Sequence, residues 1–282
     1  MRTPGELAEA LDRVGYLADE GLATAAFLAS KLGRPLFCEG EPGTGKTALA
    51  SALARALNVD LVRLQCHEGI DATQALYDWD FPRQLLHLRA TDGPGREEDI
   101  YTRRFLLARP LLRALESAPC VLLIDEIDRA DDEFEAFLLE VVSEHAVTIP
   151  ELGEIRAAEP PLVVLTSNRT REVHDALKRR CLYHWLDHPD LERELAILRR
   201  RVPGVSERLA AQVVGAVRRL RAAELLKPPG VAEAIDWAAA LLALGRTELD
   251  ARTAAVTLGA VLKYREDADR VTAAGLEAVV AG

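Results

Sequence analysis

The chain has 282 residues, 49% hydrophobic and 28% charged, which is typical of a folded globular protein and excludes a disordered one. Its formal net charge of −10 disfavours nonspecific binding to nucleic acid or membranes, which needs a basic face. No apolar run approaches the roughly 18–20 residues of a membrane span, and the four cysteines form no C-x-x-C pair, so we expect buried, reduced thiols.

The amino-terminal residues predict helix. Thr3 is a candidate N-cap, Pro4 occupies the first helical position, and Glu6 completes a capping box. The predicted helical region continues, with a break near Gly21, to Gly33. This amino-terminal stretch lacks the hydrophobic segment of a signal peptide, so we expect a cytoplasmic protein.

Five short apolar segments alternate with helical segments and predict buried strands. They are PLFCEG (35–40), LVRLQC (61–66), CVLLID (120–125), PLVVLTSN (161–168) and CLYHWLD (181–187). This alternation predicts an α/β fold built on a doubly wound, parallel, five-stranded sheet.

Beyond the fifth strand, only Ala-, Leu- and Arg-rich helical segments follow. Ser206 and Thr247 are candidate N-caps, and KPPG (227–230) separates two of the segments. We therefore predict an α/β domain at residues 1–188 and a helical lid domain at residues 189–282.

The segment GEPGTGKT (40–47) matches G-x-x-x-x-G-K-[ST] between a strand and a helix. In this motif, a phosphate loop, glycines let successive N–H groups face phosphates at a helix N-terminus. We predict that Lys46 reaches the β- and γ-phosphates of ATP and that Thr47 offers its hydroxyl to Mg²⁺. The predicted nucleotide-binding residues are Gly40, Glu41, Pro42, Gly43, Thr44, Gly45, Lys46, Thr47 and Ala48. A chance match in a glycine-rich turn is the alternative.

Polar residues end two of the other predicted strands. Asp125 ends an apolar strand and is predicted to complete the Mg²⁺ shell, while Glu126 orients an attacking water. An acidic pair more often begins a helix, so this interpretation depends on the phosphate loop upstream. Asn168 ends the next strand, where it can hold the water or sense the γ-phosphate. Capping of the following turn is the alternative for Asn168.

Three basic residues, Lys178, Arg179 and Arg180, close the helix before the fifth strand. A guanidinium that reaches the γ-phosphate across a subunit boundary accelerates hydrolysis by about 10³–10⁵. We predict that Arg180, in preference to Arg179, has this role. The alternative is a solvated helix end, where the helix dipole favours basic residues.

In this order, the phosphate loop, the strand ending in Asp-Glu, the strand-ending Asn, the basic helix end and the terminal helices resemble the AAA+ ATPases. More narrowly, the chain resembles the MoxR family, and CEGEPGTGKTALA, LQCHEGID and DEIDRADDEFEAFLLE are similar to its CoxD-type branch of maturation ATPases. That family has an insert in the second sheet unit, which residues 67–105 fit. It also has a β-hairpin before the Asn-bearing strand, which residues 145–160 fit.

The resemblance implies a P-loop NTPase fold and a Mg²⁺-dependent ATPase that acts as a chaperone. It further implies a homo-oligomer, commonly a hexameric ring, with a partner that has a von Willebrand factor A domain. The implied client is a metalloenzyme, for example a molybdenum hydroxylase such as carbon monoxide dehydrogenase. One departure concerns the second sensing Arg of many AAA+ lids, because LLKPPGVAEAIDWA has none at that position. Lys227 is the nearest substitute, without the planar fork of Arg.

Other functions remain open. A nucleic-acid motor of the same fold is one, although LRRRV (198–202) and VRRLR (217–221) fit a lid surface or subunit interface better than a nucleic-acid stripe. A nucleotide-gated interaction module with little turnover is another, and a small-molecule kinase is a third. Trp79, with Tyr77 and Phe81, either grips a client protein or forms a small core within the insert.

Overall fold

The computed structural model describes residues 1–90, 100–117 and 119–281, so residues 91–99 of the predicted insert lie outside the described part. The strands are β1 (Leu36–Gly40), β2 (Asp60–Gln65), β3 (Tyr77–Trp79), β4 (Leu106–Ala108), β5 (Cys120–Asp125), β6 (Ala146–Ile149), β7 (Gly153–Arg156), β8 (Leu162–Ser167) and β9 (Leu182–Leu186). The α-helices are α1 (Pro4–Arg13), α2 (Glu20–Leu32), α3 (Lys46–Leu57), α4 (Ala72–Ala75), α5 (Phe81–Ala90), α6 (Pro110–Glu116), α7 (Asp132–Glu144), α8 (Asp175–Arg180), α9 (Leu191–Arg201), α10 (Glu207–Ala222), α11 (Val231–Ala243), α12 (Ala251–Val261), α13 (Arg265–Ala274) and α14 (Leu276–Val280).

The main sheet has five strands in the order β2-β5-β8-β1-β9. The pairs β2–β5, β5–β8 and β8–β1 are parallel. Every residue of β5 and β8 is buried, because helices cover both faces of such a sheet. The prediction of a doubly wound parallel sheet followed by a helical carboxyl-terminal region is confirmed.

The strand order brings the polar strand ends together. The phosphate loop follows β1, Asp125 is the last residue of β5, and Asn168 follows β8. Parallel neighbouring strands end at the same edge, where ligands of open α/β sheets bind. The candidate site therefore lies at the carboxyl edge of β5, β8 and β1.

The predicted amino-terminal helix is two helices. The Thr3 hydroxyl accepts a hydrogen bond from the Glu6 N–H at 3.1 Å, as expected of an N-cap. The predicted break is present just before Gly21, at residues 14–19, because α1 ends at Arg13 and α2 begins at Glu20. The Asp19 carboxylate caps α2 and accepts the Leu22 N–H at 2.6 Å, so the cap and not the glycine marks the start of the helix.

The chain divides into two compact units. The first unit comprises Met1–Val14, Ala18–Glu39 and Thr47–Trp185, and the second comprises Gly15–Leu17, Gly40–Lys46 and Leu186–Gly282. Most of the phosphate loop therefore groups with the carboxyl-terminal helices, while Thr47 groups with the sheet. The predicted domain boundary after residue 188 stays a prediction.

Helices α9 to α14 of the second unit enclose their own apolar core around the fully buried Trp237. The Trp237 Nε1–H donates to the Thr257 hydroxyl at 2.8 Å, which satisfies its polar atom. Ser206 caps α10, as predicted. The Thr247 prediction is wrong, because α12 begins after Asp250, whose carboxylate accepts the Thr253 N–H at 2.6 Å.

Two small antiparallel sheets accompany the main one. Strand β3 of the predicted insert pairs with β4, which begins directly after the insert. In the insert, Trp79 makes edge contacts with Tyr77 and Tyr101, at ring-centroid distances of 6.1 and 5.3 Å. Trp79 thus belongs to a small aromatic cluster, whereas Phe81 is 62% exposed. Strands β6 and β7 form a hairpin between α7 and β8. Among the described residues, no helix is long and apolar enough to cross a membrane.

Candidate functional site

The phosphate loop curls between β1 and α3. Gly43 and Gly45 have φ angles of +77° and +97°, a left-handed conformation that glycine adopts without steric cost. Lys46, the first residue of α3, is buried, and its Nζ donates to the carbonyl oxygens of Gly40 and Glu41, both at 2.7 Å. The lysine thus holds the loop closed at its base.

Thr47 follows Lys46 in the chain and contacts the end of β5. Its hydroxyl donates to Asp125 Oδ1 at 3.0 Å. The Thr166 hydroxyl donates to the same oxygen at 2.6 Å, and the Arg63 guanidinium pairs with Oδ2 at 2.6 Å. Asp125 is only 2% exposed, so its charge is compensated by protein donors, as burial requires.

Glu126 has an unusual backbone conformation, with φ +55° and ψ +51°. Its N–H donates to the Thr166 hydroxyl at 2.9 Å. One carboxylate oxygen accepts from Gln65 Nε2 at 3.1 Å and pairs with Arg129 Nε at 3.0 Å. The other accepts from Asn168 Nδ2 at 3.4 Å. The structure therefore brings together Glu126 and Asn168, as the strand ends predict.

A further carboxylate, Asp128, holds the loop after β8. It is 3% exposed, and its Oδ2 accepts from the backbone N–H of Asn168 at 3.2 Å. The same oxygen accepts from the Thr170 N–H at 2.8 Å and the Thr170 hydroxyl at 2.6 Å. Asp128 thus positions the backbone that carries Asn168.

The carboxylates also affect Cys66, which follows β2. Burial is the main cause that raises the pKa of its thiol to about 12, and the negative charge of Asp125 is the next. The thiol is consequently neutral at physiological pH and unsuited to nucleophilic or metal-binding chemistry. Cys38, Cys120 and Cys181 are also buried, and none of these cysteines is in a disulfide.

The basic residues at the end of α8 lie apart from this cluster. Arg180 donates to the Ser143 hydroxyl at 3.0 Å, and Arg34 caps the helix by donating to the carbonyl oxygens of Arg179 and Arg180. The side chains of Arg179 and Arg180 are exposed. Within the described part of the chain, neither guanidinium hydrogen bonds to or pairs with Asp125 or its neighbours.

Four residues of the site were not predicted from the sequence. Arg63 and Gln65 lie two positions apart on β2 and so share one face of the sheet. Thr166 lies on β8, two positions before Asn168, and Asp128 comes two positions after Glu126. The only sequence signal was the recurrence of polar residues at two-residue spacing near strand ends.

The oxygen donors of Thr47 and Asp125 suit Mg²⁺, which uses one or two carboxylates together with substrate phosphates and waters. Within the described ranges, no group of three or more His, Cys, Asp or Glu side chains could hold a metal ion. Thr47 and Asp125 fit a magnesium ion whose other ligands would come from a bound nucleotide and from water.

Comparison with known proteins places the chain in a family. Residues 35–181 match the model of the AAA domain (dynein-related subfamily), and the chain belongs to this family. The match extends from β1 to the end of α8 and includes the phosphate loop, Asp125, Glu126 and Asn168.

Two of the relatives by sequence are uncharacterised bacterial proteins. The uncharacterised protein YehL of Escherichia coli is 31% identical over 157 residues, which is 52% of this chain and 40% of YehL. The uncharacterised protein SH1500 of Staphylococcus haemolyticus is 26% identical over 181 residues, 61% of this chain and 63% of that protein. The chain thus spans less than two thirds of the length of either relative.

Solved structures share the fold. The RuvB Holliday junction branch migration motor of Thermotoga maritima has a TM-score of 0.50 at 16% identity, covering 89% of this chain and 68% of RuvB. A candidate ATPase from Cytophaga hutchinsonii has a TM-score of 0.50 at 19% identity, covering 95% of this chain and 84% of that protein. At these identities the likeness is one of fold.

Proposed function

We propose that the chain binds ATP with Mg²⁺ and hydrolyses it to ADP and phosphate. The observation that carries the proposal is the hydrogen-bonded group at the ends of β5 and β8. There Thr47 contacts Asp125, and Asn168 contacts Glu126, across separations of 78 and 42 residues. Such convergence supplies a ligand set for Mg²⁺ beside a carboxylate that can act on water.

Each residue then has a chemical task. Lys46 and the loop N–H groups bind the phosphates, and Thr47 and Asp125 hold Mg²⁺, which neutralises charge on the phosphates. Glu126 orients the attacking water and accepts its proton, while Asn168 fixes the carboxylate of Glu126 through the 3.4 Å contact. The left-handed backbone of Glu126 directs its side chain differently from that of Asp125, which allows adjacent carboxylates to serve metal and water separately.

The test is Mg²⁺-dependent ATPase activity of four proteins. We expect Glu126→Gln to bind ATP and to lose turnover by at least about 10²-fold, because its carboxylate acts on the water. We expect Lys46→Ala to lose binding. Glu140→Gln, an exposed position on α7, is the matched control and retains activity. Full activity in Glu126→Gln would overturn the proposal.

We further propose a homo-oligomer, a hexameric ring by family resemblance, in which an Arg of α8 acts on a neighbouring site. Arg180 is hydrogen-bonded to Ser143 of its own chain, so Arg179 and Arg180 must both be tested. Alanine variants of each are mixed with Glu126→Gln. If the Arg acts in trans, two inactive proteins restore activity together, because mixed interfaces combine an intact Glu with an intact Arg. Absence of recovery would contradict shared sites.

More specifically, we propose that the chain is a MoxR-type chaperone of the CoxD-like branch. It would mature a client metalloenzyme, with a von Willebrand factor A domain protein as partner. It is supported by the β3–β4 insert between β2 and β5 and by the β6–β7 hairpin before β8. The experiment is co-expression with a molybdenum hydroxylase, with either wild type or Glu126→Gln. Equal hydroxylase activity in both would overturn the maturation role.

A nucleic-acid motor is the alternative, favoured by the shared fold with RuvB. The net charge of −10 opposes it. Duplex and four-way junction DNA are added to the ATPase assay at low salt. A several-fold stimulation of turnover by DNA would favour the motor. ATP binding with no measurable turnover in any condition would instead favour a nucleotide-gated interaction module.

A further inference from the structure

Within the second compact unit, the phosphate loop touches the start of α11 backbone to backbone. A Cβ atom added at Gly230 would lie 2.9 Å from Gly43 Cα and 2.9 Å from Pro42 O. Gly230 has φ −87° and ψ −169°, an extended conformation open to any residue. Glycine is therefore required at this position by space and not by backbone conformation.

Hydrogen bonds fix the contact. The backbone N–H of Val231, the first residue of α11, donates to the carbonyl oxygen of Gly43 at 3.2 Å. Glu233 folds back and accepts the Gly230 N–H at 2.9 Å, which closes the first turn of the helix. Its carboxylate oxygen also lies 3.1 Å from where a Cβ on Gly43 would be. Glu233 thus lies against both the start of α11 and the loop.

This contact determines the direction of one N–H group in the loop. A trans peptide unit is planar, and its C=O and N–H point in opposite directions. Because the Gly43 carbonyl points at the Val231 N–H, the Thr44 N–H of the same peptide unit points away from α11. Loops of this kind bind phosphate through such backbone N–H groups.

We propose that Gly230–Glu233, the first turn of α11, positions the phosphate loop for nucleotide by holding the peptide unit between Gly43 and Thr44. The inference rests on the proposed ATPase function and deepens it. It also gives a role to the segment that lacks the second sensing Arg: this segment acts on the nucleotide through the backbone of the loop and not through a guanidinium.

The decisive variant is Val231→Pro, which removes one N–H. Proline is favoured at the first helical position, and the extended Gly230 is compatible with a following proline. Val231→Ala is the matched control, because it trims the side chain and keeps the N–H. We expect the proline variant to bind Mg²⁺–ADP about 2- to 10-fold more weakly than the alanine variant, the effect of one hydrogen bond, in isothermal titration calorimetry.

A second pair tests the close approach. Gly230→Ala is expected to weaken Mg²⁺–ADP binding by about tenfold or more, because its Cβ would push the loop backbone aside. Gly259→Ala in α12 is the control, since a Cβ there meets nothing within 4 Å. This pair also decides the matter if Val231→Pro does not fold.

Lys46→Ala distinguishes a failure of the positioning role of α11 from a failure of the proposed function. If it abolishes Mg²⁺–ADP binding while each test variant equals its control, the positioning role of α11 is overturned and the proposed function stands. If wild type does not bind Mg²⁺–ADP, or binds it no better than Lys46→Ala, the proposed function fails and the inference with it.

Discussion

The buried hydroxyl of Thr166 joins the carboxylate of Asp125 to the backbone of Glu126. It donates to Asp125 Oδ1 at 2.6 Å and accepts the Glu126 N–H at 2.9 Å. Thr166→Val removes the hydroxyl and nearly preserves shape. The left-handed backbone of Glu126 costs an L-residue roughly 1–2 kcal/mol, and the hydroxyl stabilises that conformation. We therefore expect the valine variant to release Glu126 from its position.

The expected loss of stability follows from the two hydrogen bonds of the Thr166 hydroxyl. A hydrogen bond to a charged group contributes about 1.5–3 kcal/mol, and one between neutral groups about 0.5–1.5 kcal/mol. We expect Thr166→Val to lower the free energy of unfolding by about 2–4 kcal/mol. If about half of that loss is also a loss of transition-state stabilisation, kcat for ATP falls roughly tenfold, since 1.36 kcal/mol corresponds to a factor of ten. KM changes less, because Lys46 and the phosphate loop remain intact.

Urea unfolding and steady-state ATPase kinetics measure these two effects. Thr166→Ser is the matched control, because it keeps the hydroxyl and loses a methyl group. We expect serine to retain most of kcat and valine to lose it. A valine variant with wild-type kcat would refute the argument, as would equal losses of kcat in both variants.

Three further predictions concern the buried Asp128, the half-exposed Tyr183 and two buried cysteines. Asp128→Ala is expected to lower the free energy of unfolding by about 2–4 kcal/mol, because three donors lose their acceptor, whereas Asp128→Asn keeps an acceptor and loses less than half as much; equal losses in urea unfolding would contradict this. Burial and the hydrogen bond to Glu39 raise the pKa of Tyr183 from 10.0 to about 12. The associated stability is therefore present below pH 10 and lost as pH rises towards 12, and Tyr183→Phe should abolish that pH dependence in thermal unfolding. Burial raises the pKa of Cys66 and Cys181 to about 12, so at pH 8 both should alkylate roughly a thousandfold more slowly than a free thiol; rapid labelling of the native protein in mass spectrometry would refute this.

The sheet was predictable because a buried parallel strand is a continuous apolar run, and each predicted strand lies within one residue of its observed bounds. Asp125, Glu126 and Asn168 could be grouped because parallel strands end at one edge. Arg63 and Gln65 escaped prediction because polar residues on an edge strand resemble ordinary solvent-facing positions.

Local signals fail where two residues compete for one role. Thr247 and Asp250 are both good N-cap residues, and in the structure Asp250 is the N-cap of α12. Asp128 resembled one more acid at a helix start, because its partner Thr170 is 42 residues away in the chain. Contacts at such separations depend on tertiary structure, which sequence periodicity does not describe.

The ion pair between Arg63 and Asp125 places a cation at the carboxylate that we propose binds Mg²⁺. Arg63 is 53% exposed while Asp125 is 2% exposed, so the buried carboxylate has a tethered counter-ion that can swing into solvent. Under the proposed function, binding of Mg²⁺ at Asp125 would exchange one cation for another and would not fill a bare anionic site. Because a guanidinium stays charged at all physiological pH values, Arg63 would compete with Mg²⁺ for Asp125 throughout that range. The chain can therefore fold with the charge of Asp125 compensated by Arg63 whether or not magnesium is present.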